Sequence, residues 1–285
     1  MITWAIGLRR LPSWQIQSDP RMKERPTFPA RLDFSSGKVK PDRPVPGYAQ
    51  SGLVQVAKPI YKVLIHGVEL EFSAPRMNMV HKLADQGITD PMVLSAMRTI
   101  ERHRFVDTAL INQAYEDTSL PIGLGQTISK PGVVSRMAEL LRNGATGKLG
   151  RVLEIGTGCG YQAAVLSLLA TEVYSIERLR GLHDKARSNL RYLRLANLHL
   201  LFGDGMVGYA KGAPYAAIIA AAGGEAVPQA WVDQLAVGGR LVAPVSTGAA
   251  ASGKQALLVI DKTPQGIRQT VLEAVHFVPL KSGVA

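Results

Sequence analysis

One cysteine among 285 residues leaves no partner for an internal disulfide and fits a reducing compartment, so a cytoplasmic location is expected. That residue, Cys159, lies inside a glycine-rich turn with no His/Asp arrangement evident around it. It reads as a small side chain tolerated in the turn and not as a nucleophile. Six scattered histidines and the one cysteine show no ligand spacing, so no metal is expected. No apolar run is long enough to span a bilayer, and no membrane partner is expected. Arg9, Arg10 and Trp14 interrupt the short apolar start, and no small-residue cleavage site follows, which argues against a secretory signal. No internal repeat is visible.

Positive charge, by contrast, is in excess. The formal net charge is +11, and residues 1–80 hold 12 Lys and Arg against 6 Asp and Glu. The same stretch holds 9 of the 17 prolines, with Pro41, Pro44 and Pro46 close together. Such composition resists packing, so residues 1–75 are expected to be a basic, largely disordered extension, extended up to about Gln50. A short β-type pair is expected after it, near Leu53–Val56 and Tyr61–Phe72, turning at Gly67. A basic tail can bind nucleic acid but is more often solvated, so a nucleic-acid partner is not expected. An internal start at Met77 or Met79 is a further reading of the same composition.

The most informative stretch runs from Arg151 to Gln162. A short apolar run ends near Glu154, glycines alternate at Gly156, Gly158 and Gly160 around Thr157, and an apolar helical pattern begins at Ala163. That is a strand, a tight turn and a helix N-terminus, where backbone amides meet a nucleotide-like ligand. A dinucleotide fingerprint would need glycine at position 161, which is Tyr161. The spacing found is the E-x-G-x-G-x-G pattern of S-adenosylmethionine-dependent methyltransferases. A second strand, Thr171–Ile176, ends in Glu177, placed to accept hydrogen bonds from both ribose hydroxyls. After a basic amphipathic helix (Leu179–Leu195) and a third strand (Leu198–Phe202) comes Gly203-Asp204-Gly205, whose acid is within reach of an adenine amino group. Taken singly, Glu177 is a surface acid and Asp204 a turn former; at the ends of successive strands they mark a nucleoside pocket.

Around this unit, helices are expected at Met79–Gln86, from Pro91 to about Glu101 with Thr89 or Asp90 as cap, at Val133–Arg142, and from Pro228 to Leu235. Phe105–Tyr115 is a shorter apolar segment, and Leu120–Pro131 holds too many breakers for regular structure. Further strands are expected at Ala216–Ala221, Arg240–Val245, Ala256–Ile260 and Val271–Val278. The alternation argues for an α/β fold, an open sheet with helices on both faces, forming a methyltransferase domain over 76–285.

Four blocks carry a resemblance to a known family. They are Tyr115–Pro131, Val152–Ala164, Gly203-Asp204-Gly205, and Gly238-Gly239-Arg240-Leu241-Val242 together with Phe277-Val278-Pro279-Leu280. On these the chain resembles protein-L-isoaspartate (D-aspartate) O-methyltransferase over roughly residues 79–280. No such relative is apparent for residues 1–75.

The resemblance implies a Rossmann-like, mostly parallel sheet with the last strand inserted antiparallel, S-adenosyl-L-methionine as donor, and isoaspartyl peptides and damaged proteins as partners of a monomer. Ser129 matches the family's active-site serine, and Gln126, Thr127 and Ile128 match the loop over donor and substrate. A carboxylate acceptor is already a nucleophile and needs no strong base, so Ser129 is expected to orient it, helped by amides opening the Pro131 helix. A plain helix cap is the alternative role for that serine. The chain departs from the family at Ala216, at Ala220-Ala221-Ala222 and at His276, positions expected to surround the donor and substrate edge. Competing readings are a methyltransferase for RNA or a small molecule, and a non-catalytic relative.

Overall fold

The computed structural model describes residues 61–247 and 254–285. The extended segment up to Gln50 and the strand at Leu53–Val56 lie outside them. The chain orders its elements as α1 (Tyr61–Asp85), α2 (Pro91–Thr99), β1 (Leu120–Gly123), β2 (Gln126–Ile128), α3 (Pro131–Arg142), β3 (Leu149–Ile155), α4 (Tyr161–Leu169), β4 (Ala170–Glu177) and α5 (Arg180–Leu190). Then follow β5 (Leu198–Phe202), β6 (Tyr215–Ala220), α6 (Gln229–Gln234), β7 (Leu235–Ser246), β8 (Gln255–Thr263) and β9 (Gly266–Val275).

Seven strands form one sheet in the order β5-β4-β3-β6-β7-β8-β9. The pairings from β5 to β7 are parallel, and β8 is antiparallel to both of its neighbours. The inserted antiparallel strand is therefore the last but one; the final strand, expected in that place, lies on the sheet edge. Strand alternation sorts the core onto two faces. Leu153, Ile218, Leu241 and Leu258 join one cluster with Trp231 from α6. Their chain neighbours Val152, Ile219, Val242 and Leu257 join the other with Met137 and Leu141 from α3. Both faces are buried, as a parallel sheet under helices requires. From β3 the chain builds β4 and β5 to one side and returns for β6 on the other. The crevice at the carboxyl ends of β3 and β6 is thus the switch point where such sheets bind ligands.

Three expectations change. Residues 61–72 belong to α1, not to a strand, and α1 also runs through the boundary expected at 75/76. The β-branched Val63, Ile65 and Val68 suggested a strand, but the continuation places Phe72, Met79, Val80 and Leu83 on one helical face in the core. The breaker-rich loop holds a hairpin: β1 and β2 pair across Leu124-Gly125, both at positive φ (52° and 69°), the pattern of a type I′ turn. The long basic helix stops at Leu190 and passes into a short 3-10 turn, Arg191–Leu193.

Asp90 caps α2 as expected, accepting from the Met92 and Val93 amides at 2.9 and 3.1 Å. Its other oxygen takes the Nε of Arg142 at 2.6 Å, a guanidinium with 2% of its side chain exposed at the end of α3. One carboxylate therefore starts one helix and holds the end of another.

Candidate active site

The glycine turn fills the switch-point crevice. Gly156 turns at φ +89° with its amide on the Ile176 carbonyl at 2.9 Å, and Ala221 donates to the Ile155 carbonyl at 2.8 Å. Gly160 has a different task from its neighbours. At φ +93° it opens α4, and a Cβ there would stand 2.8 Å from Leu190 Cδ1. It lets α5 pack against the turn and is absent from the cavity wall.

Gly156, Thr157, Gly158, Glu177 and Gly205 line a cavity of about 240 Å³ roofed by the hairpin residues Gln126, Thr127, Ile128 and Ser129. Glu177, almost fully buried at the end of β4, is held from two sides. Gly158 N donates to its Oε2 and Leu179 N to its Oε1, each at 2.9 Å. An acid fixed in this way keeps lone pairs on both oxygens for a diol. Asp204 and Gly203 are not in the wall. The Asp204 carboxylate accepts from Met206 N at 2.8 Å and Gly283 N at 2.6 Å, so it ties the β5 turn to the C-terminal segment.

Glu154 is likewise behind the wall. It is fully buried on β3, where the Ser175 hydroxyl donates to Oε2 and the Gln162 amide lies against the carboxyl. Burial, with Glu177 as the nearby like charge, pushes its carboxyl up to about 8 despite the hydroxyl. The fold holds this proton where the unfolded chain has released it. The resulting stabilisation is full below the ordinary carboxyl range and is lost as pH rises towards about 8. Between pH 6 and pH 8 wild-type stability should fall by about 2 kcal/mol more than that of Glu154→Gln. Urea titrations at the two pH values would show it; parallel losses would mean that the carboxyl titrates normally.

Cys159 is buried beside the cavity with its thiol raised to about 11 by desolvation, which suits a packing residue and not a thiolate nucleophile.

A second cavity of about 770 Å³ lies on the other side of the hairpin base, walled by Lys130, Val133, Arg136, Asp117, His276 and Phe277 among others. Ser129 belongs to both walls and is the one described residue that does. It is not a helix cap. Lys130 occupies the N-cap of α3, and among the described residues the Ser129 hydroxyl has no protein partner. The amides expected to assist it are taken. Gly132 N donates to Asp117 Oδ1 at 2.7 Å, while Val133 N and Val134 N go to the Lys130 carbonyl.

Of the departures from the family pattern, Ala221 and Ala222 line the smaller cavity and His276 the larger. Ala216 does not surround the site. It pairs beside Ala217–Val152 at the amino end of β6, the opposite end of the strands. Among the wall residues not foreseen as site residues are Leu124 and Leu179, the Gln162 side chain, and Val278 to Lys281. The last group carried a signal, since Val278-Pro279-Leu280 stood within a shared block.

Among the described residues no group of three or more His, Cys, Asp or Glu is placed to hold a metal, and no helix is long and apolar enough to cross a membrane.

Comparison with known proteins agrees with this geometry. Residues 74–285 match the family model "Protein-L-isoaspartate(D-aspartate) O-methyltransferase (PCMT)". The chain is similar to the protein-L-isoaspartate O-methyltransferase of Methylibium petroleiphilum, 53% identical over 271 residues, covering 90% of this chain and 96% of that one. The enzyme of that name from Leptothrix cholodnii is 54% identical over 246 residues, 85% and 86% of the two chains. Covering 90% of the chain, the first match extends upstream of Met77, so part of residues 1–75 has counterparts in that relative. Among solved structures, a protein-L-isoaspartate O-methyltransferase superposes with TM-score 0.65 at 27% identity, over 73% of this chain and 66% of that one. A Plasmodium falciparum structure described as such an enzyme in complex with S-adenosyl-L-homocysteine shares the fold, with TM-score 0.61 at 23% identity over 72% and 98%. With a family match over most of its length and near-full-length relatives above half identity, this chain belongs to the protein-L-isoaspartate (D-aspartate) O-methyltransferase family.

Proposed function

We propose that the chain transfers a methyl group from S-adenosyl-L-methionine to the free α-carboxylate of L-isoaspartyl and D-aspartyl residues in damaged proteins, the first step of their repair. The observation that carries this reading is the position of Ser129 in the walls of two cavities, one shaped for the donor and one open to a peptide. The smaller cavity fits the donor: it combines the glycine turn, the pinned Glu177 acid and a hairpin roof. Gly156, Thr157, Gly158, Glu177 and Gly205 would hold it from below, and Gln126, Thr127 and Ile128 from above. Bound there, S-adenosylmethionine supplies an electrophilic methyl group.

The protein's task is then alignment. An isoaspartyl α-carboxylate, with an ordinary value of about 3.5, is ionised at neutral pH and needs no base. Ser129 donates its hydroxyl proton in a hydrogen bond to one carboxylate oxygen and leaves the other free to attack. The hairpin keeps water out while the carboxylate loses part of its hydration.

Transfer of labelled methyl to an isoaspartyl peptide, beside the same peptide with normal aspartate, tests the activity. The isoaspartyl peptide alone should be labelled; labelling of neither, with donor binding intact, would overturn the reading. Ser129→Ala should lower kcat about 10- to 100-fold, as loss of one charge-assisted hydrogen bond does, with donor affinity kept. Full turnover by that variant would remove Ser129 from the mechanism.

A further inference from the structure

One side of α5 is an exposed arginine face. Leu182, His183, Ala186 and Leu190 point into the molecule, with Leu190 against Gly160 of the glycine turn. The helical period gathers Arg180, Arg187 and Arg191 on the opposite side, and all three are exposed. Arg194 joins them at the end of the 3-10 turn that follows. It stands at φ +48°, a left-handed conformation that suits glycine or asparagine, while Leu193 and Leu195 on either side pack against the core. None of these four arginines forms an ion pair with a described residue. By contrast Arg136, Arg151 and Arg268 face Glu273, Glu172 and Asp261 at 2.8, 2.9 and 3.2 Å. Asp184, the acid of α5, lies against His183 Nδ1 at 3.3 Å.

The missing negative charge must come from a partner. The chain carries +11 and its first 80 residues are themselves basic, so neither a second copy nor that segment complements the face. Nucleic-acid strands are held by basic groups together with free aromatic faces. Tyr192, the exposed aromatic here, already has the Arg104 guanidinium over its ring, 4.6 Å from the centroid. The face also adjoins the site. Lys185 Nζ donates to the Ile122 carbonyl of the hairpin at 2.9 Å, and a Cβ on Gly181 would stand 3.0 Å from Leu124 Cδ1 at the hairpin tip.

We propose that the arginine face of α5 docks the folded body of acidic client proteins while their altered segment reaches Ser129. This deepens the activity proposed above and rests on it. Each deamidated asparagine has gained a carboxylate, so an aged protein drifts towards the charge that this face attracts. Exposed charges of this kind act on encounter more than on the bound complex, so the face raises kcat/KM and leaves kcat unchanged.

The test uses one isoaspartyl peptide in three forms: free, and linked through a flexible spacer to a carrier protein supercharged negative or supercharged positive. In low salt the wild-type protein should methylate the negative carrier with kcat/KM about 10-fold above the free peptide, and the positive carrier below it. At about 1 M salt, where the screening length is about 3 Å, the three should converge. Arg187→Glu/Arg191→Glu should lose the gain on the negative carrier and keep wild-type turnover of the free peptide, which also shows that it folds. Lys148→Glu/Lys211→Glu makes the same change of charge at exposed positions beside the amino ends of β3 and β6, and should keep the gain. Equal loss by both double variants would reduce the effect to net charge and overturn the proposal. So would a wild-type protein that gains nothing from the negative carrier, a comparison that needs no variant. A single-stranded oligonucleotide that binds wild type and not Arg187→Glu/Arg191→Glu, with the carrier gain untouched, would assign the face to nucleic acid instead. Methylation of the free peptide upholds the proposed activity whatever the carriers do; its absence would overturn that activity and this inference with it.

Discussion

Glu177→Gln is expected to weaken S-adenosylhomocysteine about 100-fold or more, although glutamine matches glutamate in size. Both carboxylate oxygens already accept backbone protons, from Gly158 and Leu179. A carboxamide has one oxygen, so its NH₂ must face one of those N–H groups. That loses a charge-assisted hydrogen bond and sets two donors against each other in a nearly dry site. The diol contact loses its charge as well. Together these amount to about 3 kcal/mol, which is roughly 100-fold in Kd. Calorimetric titration measures it directly. An unchanged Kd would show that Glu177 serves the turn alone and does not touch the donor.

Asp90→Ala should cost about 3–5 kcal/mol of stability, more than the loss of an ordinary cap. The cap itself accounts for about 1 kcal/mol of that figure. The remainder arises at Arg142, whose guanidinium would be left buried with only carbonyl partners, Gly147 and Ala145. Asp90→Asn, able to cap but not to neutralise Arg142, should fall between wild type and Asp90→Ala. Urea unfolding with an unchanged m-value would report the effect as a shift of midpoint. A loss near 1 kcal/mol would mean that water reaches Arg142 and the ion pair contributes little.

How much of this was legible in the chain depended on how local the cause was. Leu198–Phe202 was read to the residue, because an apolar run flanked by turn formers decides such a strand by itself. Asp90 was legible as a cap because its acceptor role is completed within three residues. The hairpin at Gln126 was not. Its turn needs Leu124 at positive φ, which leucine seldom adopts, and packing of Ile122 and Ile128 in the core holds it there. The residues 61–72 looked strand-like by propensity, and α1 is set by core contacts further along the helix, beyond the reach of a local window. At the site, Gly156, Gly158 and Glu177 were legible from spacing because one βαβ unit places them. Gly160 and Asp204 carried the same signature but face Leu190 and Gly283, contacts that no spacing rule contains.

The place of Ser129 in the walls of both cavities also limits what the protein can be offered. Damage held inside a helix or a packed strand cannot be presented to Ser129, because the larger cavity, at about 770 Å³, has room for a short stretch of chain and none for the domain behind it. A client must first let the altered segment fray. Repair would then run at the pace of the client's own local opening, so a tightly folded protein conceals its lesions and a loosened one advertises them.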